Sequence, residues 1–211
     1  MKYGKGTECY DLFVIALSTG MRIGELLGLE WRDIDYKNNF IQVTRTLKRR
    51  NNGEFYKSTP KTKCSKRDIP LLPETVKLLK AHKTEQARQK LRLGDKWESI
   101  RDFENLVFPS VTGRPQLNIN VQYQIDKITD LMNKQEELQA KKEKRDCIPI
   151  KHIHPHAFRH SFATRELENA IPPKVVQVML GHSNIKMTLD LYSHVLPRTK
   201  QSEILKIANL F

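Results

Sequence analysis

Thr19-Gly20-Met21-Arg22-Ile23-Gly24-Glu25-Leu26 compresses the end of one helix, a break and the start of another into a few residues. Upstream, Tyr10 to Ser18 is a compact apolar run that reads as a buried helix. Gly20 breaks it, and Arg22 to Leu29 starts a second short helix with Ile23, Leu26 and Leu27 free to pack. An arginine between two core-seeking segments stands on a rigid base.

Working outward, Trp31 to Asp35 reads as a turn or short extension, and Phe40 to Leu47 as one β-branched strand. Asn51-Asn52-Gly53 is a turn signal, Glu54 to Ser58 the returning strand, and Lys66 to Pro70 a third strand of the same small sheet. That leaves Thr59 to Ser65 as a basic loop. Pro73 opens a helix to about Leu93, with Glu74 in its first turn and Gly94 past its end. Leu106-Val107-Phe108 is a short strand or buried anchor, followed by a turn at Thr112 to Pro115. Asn118 to Arg145 is helical in pattern, its second half almost wholly charged. Pro155 to about Asn169 and Pro172 to Leu180 are further helices. Ser183 or Asn184 caps another that carries Met187, Leu191 and Tyr192, and a tail from Glu203 to Leu210 holds Ile204, Leu205, Ile207 and Ala208. The expected fold is α+β, mainly α, with a small antiparallel sheet, in one domain over residues 1–211.

At 38% apolar, aromatic or cysteine residues, the chain has enough material for a core. No run approaches the roughly 20 apolar residues that span a bilayer, which argues against a membrane protein. The N-terminus has no secretion pattern. Cys9, Cys64 and Cys147 are odd in number and far apart, which argues against a disulfide framework or a cysteine-rich zinc site and makes a cytoplasmic setting the expectation. A net charge of +13 points to a polyanionic partner. It clusters at Lys48-Arg49-Arg50, at Lys57 to Arg67 and at Lys141 to Arg145. A generic basic surface is the alternative from charge alone.

Four stretches carry a more specific signal: the opening one, then His156-Ala157-Phe158-Arg159-His160, then Leu180-Gly181-His182-Ser183, then Tyr192, ten residues after His182. In this order, with a basic hairpin after the first, they resemble the signature of the tyrosine recombinases. That family comprises phage integrases, conjugative-transposon integrases and Xer-type resolvases. The resemblance covers nearly the whole chain. It implies the C-terminal catalytic domain of a site-specific recombinase, which cuts and rejoins DNA through a 3′-phosphotyrosyl link.

The residue chemistry agrees. Attack on a phosphodiester gathers negative charge on its non-bridging oxygens, and each fixed donor aimed there contributes about 3 kcal/mol. Arg22 and Arg159 suit that clamp because a guanidinium is planar and permanently charged. His156, three residues before Arg159, shares its helix face and serves proton transfer or donation to the phosphate. His182 adds another donor, at the position where the family has histidine or tryptophan. Tyr192 is the nucleophile among six tyrosines, chosen for its place after His182. A phenol with a pKa of about 10 needs such cations nearby to react. Family members use a hairpin lysine to protonate the departing 5′ oxygen. Lys61 is the first choice for that role and Lys63 the second. Glu25 is the expected orienting partner of Arg22.

Each of these residues has a blander reading. Arg22 pairs with Glu25 as an ordinary helix-start ion pair, Arg159 lies on an exposed helix face, His182 is a structural histidine and the lysines are solvated. A metal reading of His152, His154, His156 and His160 lacks a completing carboxylate or cysteine, so neither metal nor cofactor is expected. The resemblance also implies double-stranded DNA and a tetramer assembled on it as partners, with accessory bending or directionality proteins. Only 21 residues precede Arg22, so the N-terminal core-binding and arm-binding domains of the family are expected to be absent and binding by this chain alone to be weak. Two rivals are a type IB topoisomerase-like nicking and closing activity and a non-catalytic DNA-binding relative.

Overall fold

Helix α1, Tyr10–Thr19, forms because its residues are apolar almost throughout, and Leu12, Phe13, Ile15, Ala16 and Thr19 are buried. It ends at Gly20, which adopts the left-handed φ of 63°. A Cβ at Gly20 would lie 2.5 Å from Phe162 Cδ1 and 2.8 Å from Leu180 Cδ2, so close packing requires glycine as well. This computed structural model describes residues 8–59 and 65–191.

Helix α2 is Ile23–Leu27. Arg22 is its N-cap, in extended conformation, rather than its first turn. A 3-10 turn, Trp31–Asp33, leads to β1, Ile34–Asp35. The expected long strand is broken. Phe40–Val43 forms β2 and Thr46–Arg49 forms β3, and the two belong to different sheets. β5, Arg67–Pro70, pairs with β2, giving the antiparallel order β1-β2-β5. β3 and β4, Phe55–Ser58, form a separate hairpin, so the single sheet read from the sequence is corrected to two.

The break has a physical cause. Arg45 continues the inward phase of Ile41 and Val43, but its guanidinium turns to Asp33 at 2.5 Å and Glu30 at 3.2 Å. Both acids are buried. β3 then crosses α2 so closely that a Cβ on Gly28 would sit 2.8 Å from the Leu47 nitrogen.

Helix α3 is Pro73–Leu93, with proline in its first turn and Gly94 at its end. Residues 106–108 are a buried anchor, with a single bridge from Leu106 to Glu30. Gln86 on α3 donates to the carbonyls of Leu106 and Val107 at 3.1 Å each. Helix α4 is Asn118–Glu143, with Val121, Ile125 and Thr129 buried. α5, His156–Glu168, and α6, Pro173–Leu180, follow, and residues 186–191 are helical again.

The buried residues form two clusters. One joins α1, α2, the strands, α3, residues 103–108 and the first half of α4. The smaller joins Phe162, Ala163, Leu167, Val176 and Leu180 of α5 and α6. Two buried arginines link the two parts, Arg159 from α5 to Gly20 and Arg67 from β5 to Met179. Among the described residues no helix is long and apolar enough to cross a membrane.

Candidate active site

Arg159 lies on the inner face of α5, with the same burial as its apolar neighbours Phe162 and Ala163. It is 3% exposed. Its Nη1 donates to the carbonyl of Gly20 at 2.8 Å and its Nη2 to that of Leu180 at 2.6 Å. These carbonyls close α1 and α6, where helix dipoles gather partial negative charge. Such partners satisfy the donors without cancelling the charge. Burial first, then the charges of Arg22 and Arg67, push the pKa of Arg159 down to about 9, which still leaves it charged at neutral pH.

His156 opens α5 and stays exposed, its ring edge-on to His160 at 4.9 Å between centroids. Loss of solvent, then the charges of His160, Arg159 and Arg22, lower its pKa. His182 follows the left-handed Gly181 that ends α6 and is buried. Its Nδ1 meets the Thr188 hydroxyl at 3.0 Å. Burial, then Arg159, Arg22, Arg67 and His156, bring its pKa down to about 4, so it is neutral at pH 7.

His156, Arg159, His160, His182, Asp190 and Leu191 line one hollow of about 310 Å³. Arg22 lines an adjoining hollow of about 570 Å³ with Lys48, Gln122, His154 and His156, so His156 borders both. The Arg22 side chain is 39% exposed and is tethered to Glu25 by Nη1 to Oε1 at 3.0 Å. The backbone nitrogen of Arg22 donates to Glu25 Oε2 at 2.9 Å. The ion-pair reading and the site reading of Arg22 are therefore compatible. Four of the residues expected from sequence converge: Arg22, His156, Arg159 and His182, with Glu25 behind the first. Lys61, Lys63 and Tyr192 lie outside the described residues. Leu191, the residue before Tyr192, lines the first hollow.

Sequence reasoning missed Arg67 and Thr188. Arg67 meets both carboxylate oxygens of Glu25, at 3.1 and 2.9 Å. Its signal was its phase, since strand alternation sets it on the face of buried Ile69. Thr188 sits six residues after His182 and had no signal of its own.

The charge clusters are also partly spent. Arg50 pairs with Glu54 at 2.8 Å, Lys57 with Glu30 at 2.5 Å, and Arg145 with Glu136 and Glu143. Among the described residues, no group of three or more His, Cys, Asp or Glu is arranged to hold a metal ion. His152 and His154 meet edge to face, with His152 3.4 Å from Asp126.

This chain belongs to the phage integrase family, whose model matches residues 4–198. It is 32% identical over 216 residues to a XerC-like tyrosine recombinase of Caldanaerobacter subterraneus, covering 98% of this chain and 51% of that protein. It is 32% identical over 185 residues to the transposase of transposon Tn916 from Enterococcus faecalis, covering 88% of this chain and 42% of the relative. The chain thus spans about half the length of the curated relatives it matches. Among solved structures, the Tn1549 transposon integrase in complex with transposon right end DNA superposes with a TM-score of 0.78 at 28% identity, covering 98% of this chain and 62% of that one.

Proposed function

We propose that residues 1–211 form the catalytic domain of a site-specific recombinase that integrates or excises a mobile element or prophage in the cytoplasm. Double-stranded DNA is the substrate. The observation that carries this reading is Arg159, a buried cation balanced by two carbonyls beside a hollow shared with His156 and His182. A site with uncancelled positive charge suits a phosphate that gains negative charge during reaction.

In this mechanism the Tyr192 oxygen forms a bond to phosphorus as the bond to the 5′ oxygen breaks. His156 accepts the phenol proton, and its lowered pKa keeps the imidazole in the unprotonated form that this needs. Arg22 and Arg159 hold the non-bridging oxygens, and His182, neutral at pH 7, donates a hydrogen bond through one ring nitrogen. Lys61, or Lys63 in its place, gives a proton to the departing 5′ oxygen. A 5′ hydroxyl from a partner strand then attacks the phosphotyrosine and reverses each transfer. The ester conserves the bond energy. A complete exchange takes four such sites, hence a tetramer on DNA, with accessory bending or directionality proteins setting its course.

The test is a nicked suicide duplex, from which the short fragment bearing the freed 5′ hydroxyl diffuses away. The wild-type protein is expected to accumulate a covalent protein–DNA adduct, and Tyr192→Phe to accumulate none. An adduct with Tyr192→Phe removes the assignment.

A further inference from the structure

Arg67, the first residue of β5, is a buried cation to which the mechanism above gives no task. Its side chain is 3% exposed, as is that of its partner Glu25. It makes commitments in three directions. Nη1 and Nη2 take the two oxygens of Glu25, Nε donates to the carbonyl of Met179 at 2.6 Å, and Nη1 also reaches the carbonyl of Ser65 at 3.2 Å.

Two of these partners lead to different parts of the pocket. Glu25 holds Arg22 through both its backbone and its side chain. Met179 precedes Leu180, whose carbonyl binds Arg159, and His182 follows after Gly181. Ser65 directly follows the stretch that contains Lys61 and Lys63. A planar fork can serve these acceptors together, whereas an ammonium offers its three donors from a single nitrogen. Stability alone explains the arrangement poorly, because an apolar replacement of a buried ion pair is often neutral or stabilising.

We infer that Arg67 is a positioning residue for DNA cleavage, setting Arg22 through Glu25 and His182 through the end of α6 without touching the phosphate. The inference rests on the recombinase reading. The charge on Glu25 supports it. Burial pushes that carboxyl up, but the bonds and charge of Arg67, then those of Arg22, outweigh it and hold the pKa below the usual range. The charged groups that act on Glu25 are Arg67 from β5, Arg22 at the head of α2 and Arg159 from α5. When the Arg67 fork is lost, burial raises the pKa of Glu25. The carboxylate then takes a proton at a higher pH and releases Arg22.

The experiment compares wild type, Arg67→Lys and Glu25→Gln on the suicide duplex, with duplex affinity, near-ultraviolet circular dichroism and single-turnover adduct rates across pH. Arg67→Lys is expected to keep its affinity and fold, to slow adduct formation by about tenfold or more, and to show its acid limb at higher pH than wild type. Glu25→Gln is expected to be slow at every pH and to keep only the acid limb that protonation of His156 sets. A folded Arg67→Lys with the wild-type rate overturns the inference, as does a slower one with an unmoved acid limb. If Arg67→Lys fails to fold, Glu25→Gln decides, and a wild-type rate there overturns it. If the wild-type protein forms no adduct, the recombinase reading fails separately. Arg67 is then judged by the His182 imidazole resonance, which must move in Arg67→Lys or Glu25→Gln for the positioning claim to stand.

Discussion

Arg67 meets Glu25 through bonds of 3.1 and 2.9 Å where β5 approaches α2, and Arg145 meets Glu136 through bonds of 2.5 and 3.0 Å on the outer half of α4. The geometry of the two forks is nearly the same. Their surroundings are not, since the first pair is 3% exposed on both sides and the second is 38% and 24% exposed. The Arg145 bonds hold the Glu136 carboxyl down to about 2, yet solvent screens whatever that pair contributes to stability. Glu25 and Arg67 are both shielded from bulk solvent, which therefore screens their pair far less. The difference teaches that burial, more than bond length, decides which ion pair organises the molecule.

The largest effect should come from Glu25→Ala, which leaves Arg67 buried without its carboxylate. A loss of about 3–5 kcal/mol is expected in urea denaturation, together with loss of adduct formation. A loss as small as that of an exposed pair breaks the comparison.

Gly20→Ala comes next. It strains a left-handed residue and drives a methyl group into Phe162, at an expected cost of about 2–4 kcal/mol. The carbonyl that holds Arg159 moves with it, so adduct formation should slow as well.

A smaller effect is the pH dependence of stability set by His182. Its pKa is lowered to about 4 in the folded chain from an ordinary 6.5. Its contribution is therefore complete above about pH 6.5 and is lost as the pH falls towards 4, because the unfolded chain takes up the proton first. Denaturation at pH 7.5 and pH 5 should differ by about 2 kcal/mol from this residue, and His182→Asn should remove that part of the slope. An unchanged slope in the variant would place the acid sensitivity elsewhere.

The smallest effect belongs to the exposed fork. Arg145→Ala should shift Tm by no more than about 3 °C. A larger drop would show that the outer half of α4 depends on this pair more than its exposure allows.

Much of this was legible in the sequence. The helices at Tyr10, Pro73, Asn118 and Pro155 follow from apolar spacing and Pro or Gly punctuation, and the structure agrees within a few residues. The break between β2 and β3 was not legible, because Thr44-Arg45 keeps the strand phase and only the distant Asp33 and Glu30 turn the chain aside. The converging residues were found through motif order. Arg67 escaped because a lone arginine in a basic stretch looks like the solvated lysines around it. Nothing local says that its partner, Glu25, lies 42 residues away.

The most direct test of the central claim is to digest the adduct trapped on the suicide duplex and sequence the nucleotide-bearing peptide by mass spectrometry. The account predicts a phosphodiester on the Tyr192 oxygen. A nucleotide on any of the other five tyrosines or on a serine would contradict it.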